Sequence, residues 1–119
     1  MVYQQGDVVL LPFPFTNQHG AKVRPGIVVS NSMVNNTSAD VIIVQLTTQN
    51  PNNNVLAVEI NNSHVAIPFK PPHNAQYVYC KKVLVIDNVL IIKKISRIAE
   101  KAKMEQILER IKSVFDIET

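Results

Sequence analysis

Gly6 to Asn31 reads GDVVLLPFPFTNQHGAKVRPGIVVSN, and this stretch decides how the chain is organised. Val8 to Leu11 is a short apolar, β-branched run. Pro12 to Lys22 holds two prolines, a glycine and several turn-forming polar residues, and Ile27 to Ser30 is apolar and β-branched again. The pattern predicts two antiparallel strands joined by a long loop. A loop of about 12 residues without structure of its own is often functional. At its far end Val23-Arg24-Pro25 places an arginine where the second strand begins. Pro25 has no N–H and confines Arg24 to an extended backbone. A guanidinium on a stiff backbone beside a polar loop suits a phosphate. An arginine that only covers an apolar strand end with its stem fits the same residues.

Working outward, Met33 to Asp40 is polar and reads as a loop. Val41 to Leu46, VIIVQL, is apolar on both faces and predicts a central strand. Thr47-Thr48-Gln49 closes it, and the Asn-Pro-Asn run from Asn50 ends it. Val55 to Ile60 reads as a strand with Glu59 as its polar member. A turn at Asn61-Asn62 and a short strand at His64 to Ile67 are expected next. Pro68 to Asn74 is a proline-rich loop. Ala75 to Ile86 predicts one strand or two, interrupted at Lys81-Lys82, before a turn at Ile86-Asp87-Asn88. Lys93 to Ile98 alternates and predicts a last strand.

The period then changes. Met104, Ile107, Leu108, Ile111, Val114 and Phe115 form one apolar stripe at helical spacing, with charged residues on the other face. Six or seven strands and one packing helix predict a mainly β fold: a small barrel of mostly antiparallel strands with a C-terminal helix, as a single domain over 1–119.

Composition narrows the function classes. The chain has 119 residues, 46% of them apolar, which is ordinary for a globular domain. Its apolar runs are strand-sized, far from the roughly 18 residues of a membrane helix. The N-terminus carries no secretory pattern, and the lone Cys80 suits a reducing cytoplasm, read as a buried small hydrophobe. The net charge of +3 is compatible with a nucleic-acid partner. His19, His64 and His73 are dispersed, with no metal-binding pair, and no phosphate-cradling glycine run, GxSxG elbow or nucleophilic-cysteine signature is present. Neither a metal nor a cofactor is expected. What remains is Arg24 and the Thr47-Thr48-Gln49 strand end, which together can bind a phosphate and stabilise charge on it; taken alone, TTQ is a weak signal that turn chemistry explains better.

GDVVLLPFPFT…KVRPGIVVSN, then VIIVQLTTQ, a Val-Ile-Asp and a closing amphipathic helix resemble, in order, the MazF/PemK family of toxin–antitoxin ribonucleases. The prolines of PFPFT resemble its PemK-like branch. The resemblance implies an SH3-like barrel, a homodimer and metal-free cleavage of single-stranded RNA. The 2′-OH would attack the adjacent phosphate, leaving a 2′,3′-cyclic phosphate and a 5′-OH. It also implies a cognate antitoxin that covers the RNA channel, with DNA binding in company with that antitoxin. The family's R-P arginine falls on Arg24 and its strand-end threonine on Thr47, as catalytic residues; Thr48 and Gln49 follow as substrate contacts. Phe13, Phe15, Thr16, His19 and Lys22 line the implied RNA-binding wall, where aromatic and polar side chains stack on and read unpaired bases.

Two departures stand out. The family's acidic segment before R-P is replaced by Asn17-Gln18-His19-Gly20-Ala21-Lys22, and a further family acid would fall near Lys81. The general base is therefore open between His19, whose ordinary pKa suits the task, and some other group, with His19 an exposed loop residue. Two other functions compete: a non-catalytic inhibitor toxin of the related gyrase-poison type, acting through a helix end, and an SH3-like module for proline-rich peptides. Scattered aromatics, four Phe and three Tyr without Trp, count against the second.

Overall fold

The computed structural model describes residues 2–14, 21–50, 54–71 and 75–118. Strand β1 (Asp7–Pro14) pairs antiparallel with β2 (Ala21–Val28), from Val8 opposite Ile27 to Pro14 opposite Ala21. The expected hairpin is present, but its strands run further into the expected loop than the apolar runs alone imply. Two ladder ends explain how they accommodate prolines. Strand β6 (Lys93–Arg97) pairs with β1 only from Asp7 to Leu10, so Pro12 and Pro14 lie beyond that ladder. The ladder from β2 to β3 (Asp40–Thr47) stops at Gly26 opposite Gln45, one residue short of Pro25. A residue without an N–H is tolerated where no ladder bond is asked of it.

The remaining elements are a one-turn helix α1 (Ser32–Asn35), strands β4 (Ala57–Asn61) and β5 (Ala75–Asp87), helix α2 (Lys101–Val114) and two single 3-10 turns at Asn54–Leu56 and Asn88–Leu90. Strands run in the order β4-β5-β3-β2-β1-β6, all pairs antiparallel, and curl into a half-barrel. β3 is central, as its doubly apolar sequence predicts. The 33–40 stretch, expected as loop, opens with α1 because Asn31 caps it, its side chain accepting from the Met33 N–H at 3.0 Å. Buried Asn35 fixes the turn by donating to the Ser30 carbonyl at 2.8 Å.

Alternation along the strands gives two apolar faces. Val8, Ile27, Val44, Leu46, Ile60 and Val78 form the larger core, which α2 closes with fully buried Ile107 and with Met104, Leu108 and Ile111. Val114 and Phe115, the last members of the expected stripe, are 40% and 71% exposed. The helix outruns the sheet there, and Phe115 is already its C-cap. Val9, Leu11, Phe13, Val28, Val41 and Ile43 form a second core on the opposite face with Tyr3 and Ile91.

β5 is one strand of 13 residues. Its register shifts where Val44 faces Val83 and Gln45 faces Tyr79, so Cys80, Lys81 and Lys82 form a bulge at the expected interruption. The expected strand over His64 to Ile67 is reduced to a single bridge between Val65 and Ile98. There the Ser96 hydroxyl takes the place of a main-chain partner, accepting from the Ile67 N–H at 2.9 Å and donating to the Ile67 carbonyl at 2.8 Å. Pro68 then has no N–H with which to continue the pairing. Asp7 caps the entry turn, accepting from the Gln4 N–H at 2.9 Å and pairing with Lys94 at 3.0 Å. Gly6 in that turn has φ 96°, a conformation open chiefly to glycine.

Candidate active site

The face that carries the second core is apolar over half its extent and polar over the rest, and strand register builds the polar half row by row. Leu11 faces Arg24 across β1–β2. The β2–β3 pairing ends with Gly26 opposite Gln45, and Arg24 and Thr47 each lie two residues beyond that pair, on the same face. Thr47 faces Tyr77 on β5, and Tyr77 faces Glu59 on β4. The neighbouring row runs Val9–Gly26–Gln45–Tyr79–Ala57. Because side chains two residues apart share a face, Arg24, Gln45, Thr47, Tyr77, Tyr79 and Glu59 all belong to one surface. Directly paired side chains in such rows have Cβ atoms about 5 Å apart.

Gly26 makes room in this surface. A Cβ there would lie 3.1 Å from the Val44 carbonyl oxygen and 3.2 Å from the Phe13 ring, so glycine lets Phe13 lie against the β2–β3 backbone without crowding. Buried Phe13 stands opposite Lys22, which is exposed on the same face as Arg24.

Arg24 is half-buried, and its Nε is buried without a hydrogen-bond partner among the described residues. An unpaired buried donor on a cation is costly and is satisfied by an anion held in the plane of the guanidinium. The Arg24 side chain is thus partly covered, and its head retains a donor uncommitted among the described residues. The Thr47 Oγ1 accepts from the Gln49 N–H at 3.2 Å. That bond uses a lone pair and leaves the hydroxyl proton free to donate. Thr48 and Gln49 are exposed just past the strand end. Phe15, Thr16 and His19 lie outside the described residues, as does His73. His64 serves the fold, its Nδ1 accepting from the Asn61 N–H at 3.1 Å.

Gln45, Tyr77, Tyr79 and Glu59 are site neighbours that the sequence reading missed. The alternation Gln76-Tyr77-Val78-Tyr79-Cys80 held the signal: two half-buried tyrosines on one face, two buried apolar residues on the other. The ammonium of Lys81 sits 5.4 Å from the centre of the Tyr79 ring, a cation–π contact. A shallow cavity of about 240 Å³ lined by Asn50, Ala57, Glu59 and Tyr77 continues the surface towards β4. The arrangement joins a cation, a hydroxyl donor and two aromatic rings, the components that hold a phosphate and its flanking bases. Among the described residues no three His, Cys, Asp or Glu side chains converge as metal ligands, and no helix is long and apolar enough to cross a membrane. Burial pushes the thiol of Cys80, beneath this surface, up to about 11, against a smaller opposing pull from the Arg110 guanidinium.

A family model described as "PemK-like, MazF-like toxin of type II toxin-antitoxin system" matches residues 4–115. Among solved structures, an endoribonuclease in complex with its cognate antitoxin from a mycobacterial species is similar at 20% identity and a TM-score of 0.73, covering 98% of each chain. The Mycobacterium tuberculosis toxin MazF-mt6 is similar at 14% identity and 0.71, covering 95% of this chain and 99% of that one. A MazE–MazF structure from Deinococcus radiodurans follows at 13% and 0.68, covering 99% and 100%. These likenesses show a shared fold. No curated protein sequence matches the chain.

Proposed function

Because the chain belongs to the PemK-like, MazF-like toxins of type II toxin–antitoxin systems, we propose that it is an endoribonuclease that cuts single-stranded RNA without a metal ion. The observation that carries this reading is the half-buried Arg24, its Nε without a partner among the described residues, on the same face and at the same sheet end as the hydroxyl proton of Thr47. In the proposed reaction a ribose 2′-oxygen attacks the adjacent phosphorus while its proton passes to a base. The bond from phosphorus to the 5′-oxygen breaks, and that oxygen takes up a proton. The products are a 2′,3′-cyclic phosphate and a 5′-OH.

Arg24 neutralises the charge that builds on the phosphorane oxygens, and Thr47 donates to one non-bridging oxygen. Tyr77 and Tyr79 stack on the bases that flank the cleaved bond, while Lys22, Thr48 and Gln49 contact the strand on either side, with Phe15, Thr16 and His19, which follow β1 in the sequence, as further substrate contacts. His19 is the candidate base. Glu59 stands two strands from Thr47, about 10 Å away by strand spacing, too far to take the proton at the same phosphate. The protein works as a homodimer and is held silent by a cognate antitoxin. This reading is tested with purified protein, a mixed-sequence RNA and mass analysis of the cut ends, in the presence of excess EDTA. Cyclic phosphate ends without a metal requirement are expected; 3′-OH ends, or activity restored only by a divalent ion, would overturn it.

A further inference from the structure

The open end of the half-barrel holds a second concavity, on the sheet face opposite Arg24. Leu10 and Pro25 pair across β1–β2, and their side chains point away from those of the adjacent Leu11 and Arg24. With Ile67 and Phe69 from the closing segment they wall a cavity of about 480 Å³, within the size range of binding pockets, for which barrel mouths are a common place. One buried polar group lines it. Gln76 is only 6% exposed, and its amide oxygen has no hydrogen-bond partner among the described residues. Folding gains nothing from such a group, since an apolar side chain of the same shape would avoid the desolvation cost. The rim is basic. Lys94 is committed to Asp7, whereas Lys70 and Lys93 are exposed and have no acidic partner among the described residues.

We propose that this mouth is a docking site for an extended segment of a partner protein, in which apolar side chains alternate with carboxylates. The apolar walls take the side chains and Lys70 and Lys93 pair with the flanking carboxylates. The Gln76 amide, which has both a donor and an acceptor, pairs with a peptide group once its soft terminal torsion turns towards the segment. An RNA strand fits less well. Phe69 is only 7% exposed, which leaves little ring for a base to stack on, and two lysines over an apolar mouth are a poor match for a charge at every nucleotide. Naming the partner as the antitoxin rests on the toxin–antitoxin reading above; the chemistry of the segment does not. Occupied on the face opposite Arg24, the mouth would let a partner grip the toxin without entering the RNA site.

The test selects random displayed peptides of about 12 residues on the full chain. Enriched sequences are then synthesised with a fluorescent label and titrated by anisotropy. Enrichment of Asp and Glu beside Leu, Ile, Val or Phe is expected. Affinity should fall roughly tenfold or more in the Lys70→Glu/Lys93→Glu double variant, fall in Gln76→Leu while Tm rises, and stay unchanged in Arg24→Ala. RNA cleavage by the double variant should equal wild type. Peptides without acids, affinity unaltered by the mouth substitutions, or displacement of the peptide by a single-stranded RNA oligonucleotide would each overturn the proposal. The nuclease reading fails separately, if the wild-type protein leaves RNA intact.

Discussion

Thr47 and Tyr77 stand directly opposite one another across the β3–β5 ladder, the last pair before β3 ends. The hydroxyl assigned to a phosphate oxygen is therefore side by side with an aromatic ring able to carry the next base. In single-stranded recognition stacking contributes about 1–3 kcal/mol per base. Tyr77→Ala should weaken binding of a short RNA by about one to two orders of magnitude, whereas Tyr77→Phe should retain most of it. Anisotropy titrations of a non-cleavable 2′-deoxy substrate read this directly, and equal losses in both variants would show that the phenol hydroxyl matters instead.

Arg24→Ala is expected to lower the cleavage rate by about 10²–10³, the usual worth of one preorganised charge-stabilising donor. Its Nε has no described partner to lose, so the melting temperature should hardly move. Arg24→Lys should recover only part of the rate, because a point charge lacks the planar fork. Single-turnover kinetics beside a thermal melt separate these effects. Wild-type cleavage by Arg24→Ala would remove the assigned role.

Gly26→Ala probes how the site is seated. The added methyl would press on the Val44 carbonyl and the Phe13 ring, and overpacking of this kind costs about 1–3 kcal/mol. A lower midpoint in urea unfolding with an unchanged m-value is the expected result. Phe13 faces Lys22 across the ladder, so RNA affinity should fall as well.

Cys80 gives a pH signature. Burial raises its thiol to about 11 in the folded chain, above the roughly 8.5 of an unfolded one. Its contribution to stability is then complete below about 8.5 and is lost as pH climbs through the folded value. Native protein should resist iodoacetamide at neutral pH, while urea-unfolded protein should react readily. Rapid labelling of the native state would contradict the buried thiol.

The hairpin, the central position of β3 and the apolar stripe of α2 were legible because each is written in a local period: apolar runs bounded by turns, or a repeat near 3.6 residues. Arg24 and Thr47 were singled out through the resemblance; Thr47 does end β3, whereas Arg24, expected where the second strand begins, lies inside β2. Other features were not local. Whether Pro12, Pro14 and Pro25 break a strand depends on where a neighbouring ladder stops, which single-strand patterns do not encode. Lys81-Lys82 reads equally as a turn or as a bulge until β3 is laid beside it. Tyr77, Tyr79, Gln45 and Glu59 become neighbours of the site only through cross-strand register. That register depends on the β5 bulge and so could not be counted from the sequence.

The Ser96 clasp on Ile67 has a mechanical consequence. Among the described residues, the ends of the half-barrel are joined by one bridge, one hydroxyl and the bonds from Ala66 to Arg97 and from Ala99 to His64, both 2.9 Å or shorter. Elsewhere among the described residues the strands are joined by ladders of three or more pairs, two of them with a register shift. The molecule therefore has a seam, along which it parts before the sheet itself unravels. Amide hydrogens at Ala66, Ile67 and Ala99 would exchange with solvent well ahead of those in β3, and Ser96→Ala would widen that gap while leaving the β3 amides slow.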